Sequence, residues 1–329
     1  MYKTYFKLTR NPFDLTPDPV CFVPTKRHSE ALAALYYCVR QHKGFVVVTG
    51  EVGTGKTLLL RCLLGQLKES KDIALAYLFN ARLSPTEFLQ YILTDFGLPT
   101  SGKNKCDLLV DLSHFLVSRS KNKMTTVLIL DEAHHLSEEI LEEVRLLSNL
   151  ETTDDKLLQI IMAGQPELDQ KLDSFELRQL KQRISVRAQL EPLDSEETKR
   201  YIERRLQVAG AECDPSSLFP EPTIAAVFHH SQGLPRLINT ICENALILAY
   251  ANEVPTITPD IIRVVAKELR LDVISEPAVK RNAKPTANEV LEFFGVMIDL
   301  YSALRKPTTG DPRAGTSVAI QGRPREPHS

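Results

Sequence analysis

Eight residues constrain this chain more than any other feature. Gly50-Glu51-Val52-Gly53-Thr54-Gly55-Lys56-Thr57 ends the apolar run GFVVVTG and leads into the helical pattern LLLRCLLGQLKE. The pattern is G-x-x-x-x-G-K-[ST] between a strand and a helix, the setting in which such a turn cradles phosphate. Glycine permits the backbone angles that turn successive N–H groups inward, and the helix that follows adds its positive end. Residues 50–57, with Leu58 behind them, are therefore the expected nucleotide holders. Lys56 is suited to reach the β- and γ-phosphates, and the Thr57 hydroxyl to ligate Mg²⁺.

A second run, Val127-Leu128-Ile129-Leu130-Asp131-Glu132, ends four apolar residues in two carboxylates. At the carboxyl end of a buried parallel strand, Asp131 faces the crevice where ligands bind and is suited to hold Mg²⁺ directly or through water. Glu132 is then placed as general base toward an attacking water. Acidic residues follow many strands, so this run alone says little. Beside a phosphate loop it says much, because hydrolysis of a nucleoside triphosphate needs both.

The chain around these motifs alternates strand and helix patterns. Apolar β-branched runs at 44–50, 73–80, 125–133 and 156–164 are separated by amphipathic stretches such as HSEALAALYYCVRQ, with Ser29 as its expected N-cap. Alternation of this kind predicts an α/β fold, a parallel sheet with helices on both faces, over residues 28–190. From Glu191 the strand signal vanishes and four helical patterns follow, which predicts a small all-helical domain over 191–270. Residues 1–27 are punctuated by proline and read as extended. Residues 271–305 read as a linker with one helix at 288–305, and the Pro- and Gly-rich 306–329 as disordered.

Composition excludes several classes. A net charge of −2 gives no general case for nucleic acid, and an apolar fraction of 43% with 25% charged residues is ordinary globular usage. No run reaches the roughly 18 apolar residues of a membrane span, and MYKTYFKLTRNPFD holds no signal-peptide core. The six cysteines form no C-x-x-C pair, so reduced thiols and a cytoplasmic location are expected.

Other candidates stay open on the residues alone. Gln165 ends the last apolar run and fits either a group that touches water or phosphate, or a turn residue before Pro166. Arg236, in Gly233-Leu234-Pro235-Arg236, fits either a reach back to the phosphates or a solvated helix start. Arg178 and Arg183, in FELRQLKQRI, fit an arginine finger for a neighbouring copy or a solvated face. His134, in Asp131-Glu132-Ala133-His134, lacks partners for a metal site and reads as a support for its neighbours. His229-His230 reads as structural.

Taken in order, these motifs resemble the AAA+ P-loop NTPases, and more narrowly the ExeA family of general secretion pathway proteins. Tyr5-Phe6, Asn11-Pro12-Phe13, Thr16-Pro17-Asp18-Pro19, GFVVVTGEVGTGKT, LILDEAH, AGQPEL, LRQLKQRI and GLPRLIN carry the resemblance over about residues 1–270. It implies ATP as the nucleotide with Mg²⁺, Lys56 and Thr57 as the Walker A pair, and Asp131 and Glu132 as the Walker B pair. It also implies Gln165 near sensor 1, Arg236 as sensor 2, a helical lid, and Arg178 or Arg183 acting in trans. The C-terminal stretch carries neither the membrane helix nor the peptidoglycan-binding domain of the secretion protein that names the family.

Three functions follow as expectations. The first is an ATPase that switches a homo-oligomer in a nucleotide-dependent way, its client possible in secretion or pilus machinery. The second is a DNA-associated adaptor of the transposition-regulator type, with segments such as KRYIERR on phosphates; no helix-turn-helix supports it. The third is a non-catalytic partner subunit recruited through Leu291, Phe294, Ile298 and Tyr301 of the 288–305 helix.

Overall fold

A computed structural model describes residues 1–271 except 69, 80–82, 154 and 212–214. Cys213, the 288–305 helix and the 306–329 tail lie outside the described residues. The elements in order are α1 (Tyr2–Tyr5), α2 (Lys26–Arg40), β1 (Phe45–Gly50), α3 (Lys56–Lys68), β2 (Ile73–Leu78), α4 (Pro85–Asp95), α5 (Lys105–Lys121), β3 (Thr125–Leu130), α6 (Glu138–Leu147) and β4 (Gln159–Gly164). After them come α7 (Pro166–Leu172), α8 (Arg178–Lys181), β5 (Ile184–Leu190), α9 (Ser195–Val208), α10 (Pro215–Leu218), α11 (Glu221–Ser231), α12 (Pro235–Ala251) and α13 (Pro259–Glu268).

Short polar side chains set the helix starts. Ser84 with Glu87, Asn104 with Asp107, and Asp194 with Glu197 close reciprocal capping boxes at α4, α5 and α9. Helix α2 begins earlier than expected. Thr25, not Ser29, is its N-cap, because the Thr25 hydroxyl accepts from the His28 backbone N–H at 3.2 Å.

All strands run parallel, in the order β2-β3-β4-β1-β5. The central strands β1, β3 and β4 are buried along their whole length, which is why they read as continuous apolar runs. One face carries Val46, Val48, Val127, Ile129, Ile161 and Ala163 against Leu35 and Val39 of α2 and Leu59, Leu60 and Leu63 of α3. The other carries Phe45, Val47, Leu128, Leu130, Ile160 and Met162 against the apolar faces of α4, α5 and α6. The fold is α/β of the P-loop type, followed by an all-helical lid.

The expectation of four strands is short by one. Ile184–Leu190 joins β1 as an outer strand, with Ser185, Arg187 and Gln189 exposed between half-buried Ile184, Val186 and Ala188. An outer strand buries less of one face, so its sequence alternates instead of running apolar.

A separate core holds α9–α13 together, through residues such as Ile202, Leu206, Val227, Ile238, Leu246 and Ile262. Phe6, Leu8 and Phe13 of the N-terminal segment are buried in it. Burying one such side chain stabilises by about 1.5–3 kcal/mol. The Tyr2 hydroxyl donates to Glu243 at 2.7 Å, and Thr9 Oγ1 donates to the Ala209 carbonyl at 2.8 Å. The segment expected to be extended is thus tied to the lid.

Candidate active site

Strand β4 lies between β1 and β3, so the turns that leave the carboxyl ends of these three strands meet at one place. Residues 50–57 leave β1, Asp131 and Glu132 leave β3, and Gln165 leaves β4. The start of α12 faces them from the lid. A cavity of about 320 Å³ is lined by Gly53, Gly55, Lys56, Thr57, Leu58, Glu132, Gln165 and Arg236, among others.

The loop is braced from within. Lys56 is 6% exposed, and its Nζ donates to the carbonyls of Gly50 at 2.7 Å and Glu51 at 3.0 Å. Thr54 Oγ1 donates to the Glu51 carbonyl at 2.8 Å. Gly50, Glu51 and Thr54 therefore shape the turn, while Val52, Gly53, Gly55, Thr57 and Leu58 face the cavity. Burial pulls the Lys56 pKa down, opposed first by Glu132 and then by Asp131. A cation held this way favours an anion in the cavity. Gly53 has φ +84°, and a Cβ there would lie 2.7 Å from Arg236 Cβ. Only glycine lets α12 begin this close, with the Arg236 backbone N–H donating to the Gly53 carbonyl at 3.3 Å.

Asp131 is oriented by three donors. Thr57 Oγ1 at 3.1 Å and the Tyr77 hydroxyl at 2.7 Å both donate to its Oδ2, and the Glu132 backbone N–H donates to Oδ1 at 2.9 Å. Burial, then the Asp131 charge, raises the Tyr77 pKa, so the phenol stays a donor. A carboxylate beside one hydroxyl is a sparse oxygen set. It fits Mg²⁺, which keeps several waters and takes substrate phosphates as further ligands. Among the described residues no group of three or more His, Cys, Asp and Glu could hold a metal by itself.

Glu132 adopts φ +52°, a backbone setting that a side chain of this size rarely takes and that active sites often hold. Its Oε2 is buried without a hydrogen-bond partner. His134 Nδ1 lies 3.5 Å from that oxygen, and His134 Nε2 lies 2.9 Å from the Gln165 amide nitrogen. Burial, helped by the neighbouring His135, lowers the His134 pKa, which keeps the ring neutral at neutral pH. Gln165 precedes Pro166 at the start of α7 and also lines the cavity.

Arg178 and Arg183 are not brought to this cavity. Arg178 is exposed and stacks on Phe175, its guanidinium 3.8 Å from the ring centroid. Arg183 precedes β5 at the opposite end of the sheet, in a separate pocket with Lys43 and Lys156.

Several residues of the site were not legible beforehand. His28, in α2, lies under the loop: its Nε2 is 2.9 Å from the Thr54 carbonyl and its Nδ1 2.7 Å from Thr25 Oγ1. Asp14–Asp18, Tyr201, Arg205 and Asn239 line the cavity, from the N-terminal segment and the lid. Tyr201 donates to Asn239 Oδ1 at 2.9 Å, and Arg205 is 4% exposed with an unpartnered Nε. The prolines of TPDP punctuate the segment, but no local pattern fixes where in the fold it lies.

Residues 39–172 match the AAA domain family. The chain is 44% identical over 253 residues to general secretion pathway protein A of Aeromonas hydrophila, covering 76% of this chain and 45% of that protein. It thus spans less than half the length of that relative. Among solved structures, Cdc6p from Pyrobaculum aerophilum matches with a TM-score of 0.58 at 20% identity, covering 78% of this chain and 70% of that one. The Aeropyrum pernix ORC2 protein matches at 0.56 and 19%, covering 82% and 73%. The Thermotoga maritima RuvB Holliday junction branch migration motor matches at 0.51 and 17%, covering 75% and 70%. At such identities these three show a shared fold. Among the described residues no helix is long and apolar enough to cross a membrane.

Proposed function

The chain belongs with the AAA+ proteins as a relative of general secretion pathway protein A, and from that premise we propose that it binds ATP with Mg²⁺ beside residues 50–57 and hydrolyses it. The observation that carries this reading is the 3.1 Å bond from Thr57 to Asp131, with Glu132, Gln165 and Arg236 on one cavity. Lys56 and the loop N–H groups hold the phosphates. Thr57 and Asp131 hold Mg²⁺, which when bound neutralises charge on the phosphate oxygens. Glu132 takes the proton of the attacking water, Gln165 touches the γ-phosphate, and Arg236 ties the lid to it. Tyr201, Arg205, Asn239 and the Asp14–Asp18 loop form the wall left for base and ribose.

Among the described residues the only arginines that line this cavity are Arg205 and Arg236, both on the helical lid, and Arg183 stands among cations at the far end of the sheet. We assign Arg183, ahead of Arg178, to the neighbouring copy's nucleotide, which makes the active form a homo-oligomer and ATP its switch. The relative's name points to secretion as the process served, and envelope assembly is proposed with it from the ExeA-family resemblance.

Lys56→Ala should lose nucleotide binding by about 100-fold or more, since it removes the buried cation. Glu132→Gln should bind ATP as the parent does while turnover falls by about 10²–10⁴-fold. Equilibrium binding of a fluorescent ATP analogue and phosphate release check both. A Glu132→Gln protein with parental turnover would sink the catalytic assignment.

A further inference from the structure

His134 sits inside this site, its side chain 6% exposed, and the hydrolysis reading gives it no task. It is held closely. Lys171 Nζ donates to its carbonyl at 3.3 Å, and a Cβ on Gly164 would lie 3.2 Å from its backbone nitrogen. Its two ring nitrogens face two different parts of the machinery. Nδ1 is 3.5 Å from the unpartnered Oε2 of Glu132, and Nε2 is 2.9 Å from the side-chain amide of Gln165. The Gln165 backbone N–H also points at Nδ1, at 3.4 Å.

A neutral imidazole carries one proton, so one nitrogen donates and the other accepts. With the Gln165 NH₂ turned to the ring, Nε2 accepts. The proton is then on Nδ1, aimed at Glu132, and Gln165 Oε1 points away from the ring. In the other tautomer Nε2 donates, so Gln165 must offer Oε1 and present its NH₂ elsewhere. Nδ1 then accepts from the Gln165 backbone N–H, and Glu132 has no donor in the ring. The two arrangements exclude each other.

A γ-phosphate has only acceptor oxygens, so it selects the arrangement in which Gln165 presents NH₂. We propose that His134 is a positioning residue that couples Gln165 to Glu132 through its tautomer. A γ-phosphate on Gln165 puts the ring proton on Nε2 and frees the Glu132 carboxylate to act on water. Without that phosphate the proton returns to Nδ1 and engages Glu132. The ring stays neutral throughout: one proton leaves a nitrogen to solvent as another reaches the opposite nitrogen. The inference rests on the hydrolysis reading above.

The test is ¹⁵N-histidine NMR on the full chain with Mg²⁺ and either ADP or a non-hydrolysable ATP analogue, the His134 signals being assigned with His134→Asn. The Nδ1–H pattern is expected with ADP and the Nε2–H pattern with the analogue. In kinetics, His134→Ala should lower kcat by about 10–100-fold, as loss of a supporting hydrogen bond does, with KM and analogue affinity nearly unchanged. The double variant with Gln165→Ala should be little slower than the slower single one, because both cut the same connection. One tautomer in both nucleotide states, a parental kcat in His134→Ala, or losses that multiply would overturn the coupling. A parent chain that fails to bind or hydrolyse ATP breaks the hydrolysis reading as well. A parent that turns over ATP with an unmoved His134 breaks this inference alone. The NMR arm uses the unaltered ring, so it stands even where His134→Ala does not fold.

Discussion

The two ends of the parallel sheet arrange their charges differently. At the carboxyl end Asp131 and Glu132 surround Lys56, with Glu51 and Glu167 close enough to act on it. At the other end each strand is preceded, within three positions, by a cation: Lys71 before β2, Lys123 before β3, Lys156 before β4, Lys43 before β1 and Arg183 before β5. Lys156 is paired with Glu151. Lys43, Lys71, Lys123 and Arg183 have no carboxylate partner among the described residues. With strands about 4.8 Å apart, the five cations form a line roughly 20 Å long. An end that gains negative charge when a nucleotide binds and a basic end on the same sheet are complementary between copies, not within one. Contact of unlike ends is head-to-tail, the heterologous kind that closes into rings or extends into filaments. The sheet thus gives a physical reason for the proposed switch: nucleotide adds negative charge to the face that another copy's basic end would meet.

The strongest attempt to break this comparison uses two inactive chains. Arg183→Ala should lower turnover of the assembled protein by about 100-fold or more, as loss of an arginine finger does, while ATP affinity of the single chain holds. Glu132→Gln is inactive for a different reason. In an equal mixture, an Arg183→Ala copy keeps Glu132 and can receive Arg183 from a Glu132→Gln neighbour. With random mixing about a quarter of the head-to-tail contacts are then complete, and phosphate release should recover to that share of the parental rate. A mixture as inactive as its parts would remove Arg183 from the trans role, and Arg178→Ala repeats the test for the other candidate.

How much of this was legible depends on whether a contact is local. The loop, its helix and the LILDE run are local patterns with fixed chemistry, and the sequence alone placed Lys56, Thr57, Asp131 and Glu132 at one site. What local patterns lack is strand order. That β4 inserts between β1 and β3 sets Gln165 beside both, and that β5 runs parallel to β1 puts Arg183, which precedes β5, at the end of the sheet away from the cavity. The alternation in ISVRAQL was readable as an outer strand, but polar side chains at every second position obscured it. Tyr77, His28, Tyr201 and Arg205 reach the site by folding of distant segments, so no spacing rule finds them. Phe13 sits in the proline-punctuated segment read as extended, and it is 1% exposed in the lid core.

A medium-sized effect tests what the nucleotide-binding end rests on. Burial lowers the pKa of His28, whose ring bridges Thr25 and the Thr54 carbonyl, and of His134. In the unfolded chain each takes a proton near its ordinary value of about 6.5. The native state binds fewer protons below that value, so stability is complete above about pH 6.5 and is lost as pH falls through the lower native pKa values. Thermal unfolding should show a flat melting temperature from about pH 7 to 8 and a drop of several degrees toward about pH 5.5. His28→Asn should start lower and show a shallower drop. An equal slope in that variant would mean that His28 titrates freely in the fold.

The smallest expected effect sharpens the other end. Lys71→Glu and Lys123→Glu alter exposed side chains on loops, where a single charge contributes about 0.2–1 kcal/mol. Each should weaken ATP-dependent association by up to about fivefold, the fold-change of such an energy, without moving the melting temperature. Light scattering against salt reads the rest. Screening acts over about 10 Å at 0.1 M salt, so rising ionic strength should weaken association of the parent more than of the double variant Lys71→Glu/Lys123→Glu. Equal salt slopes would mean that association depends on Arg183 and its immediate pocket rather than on the whole cationic line.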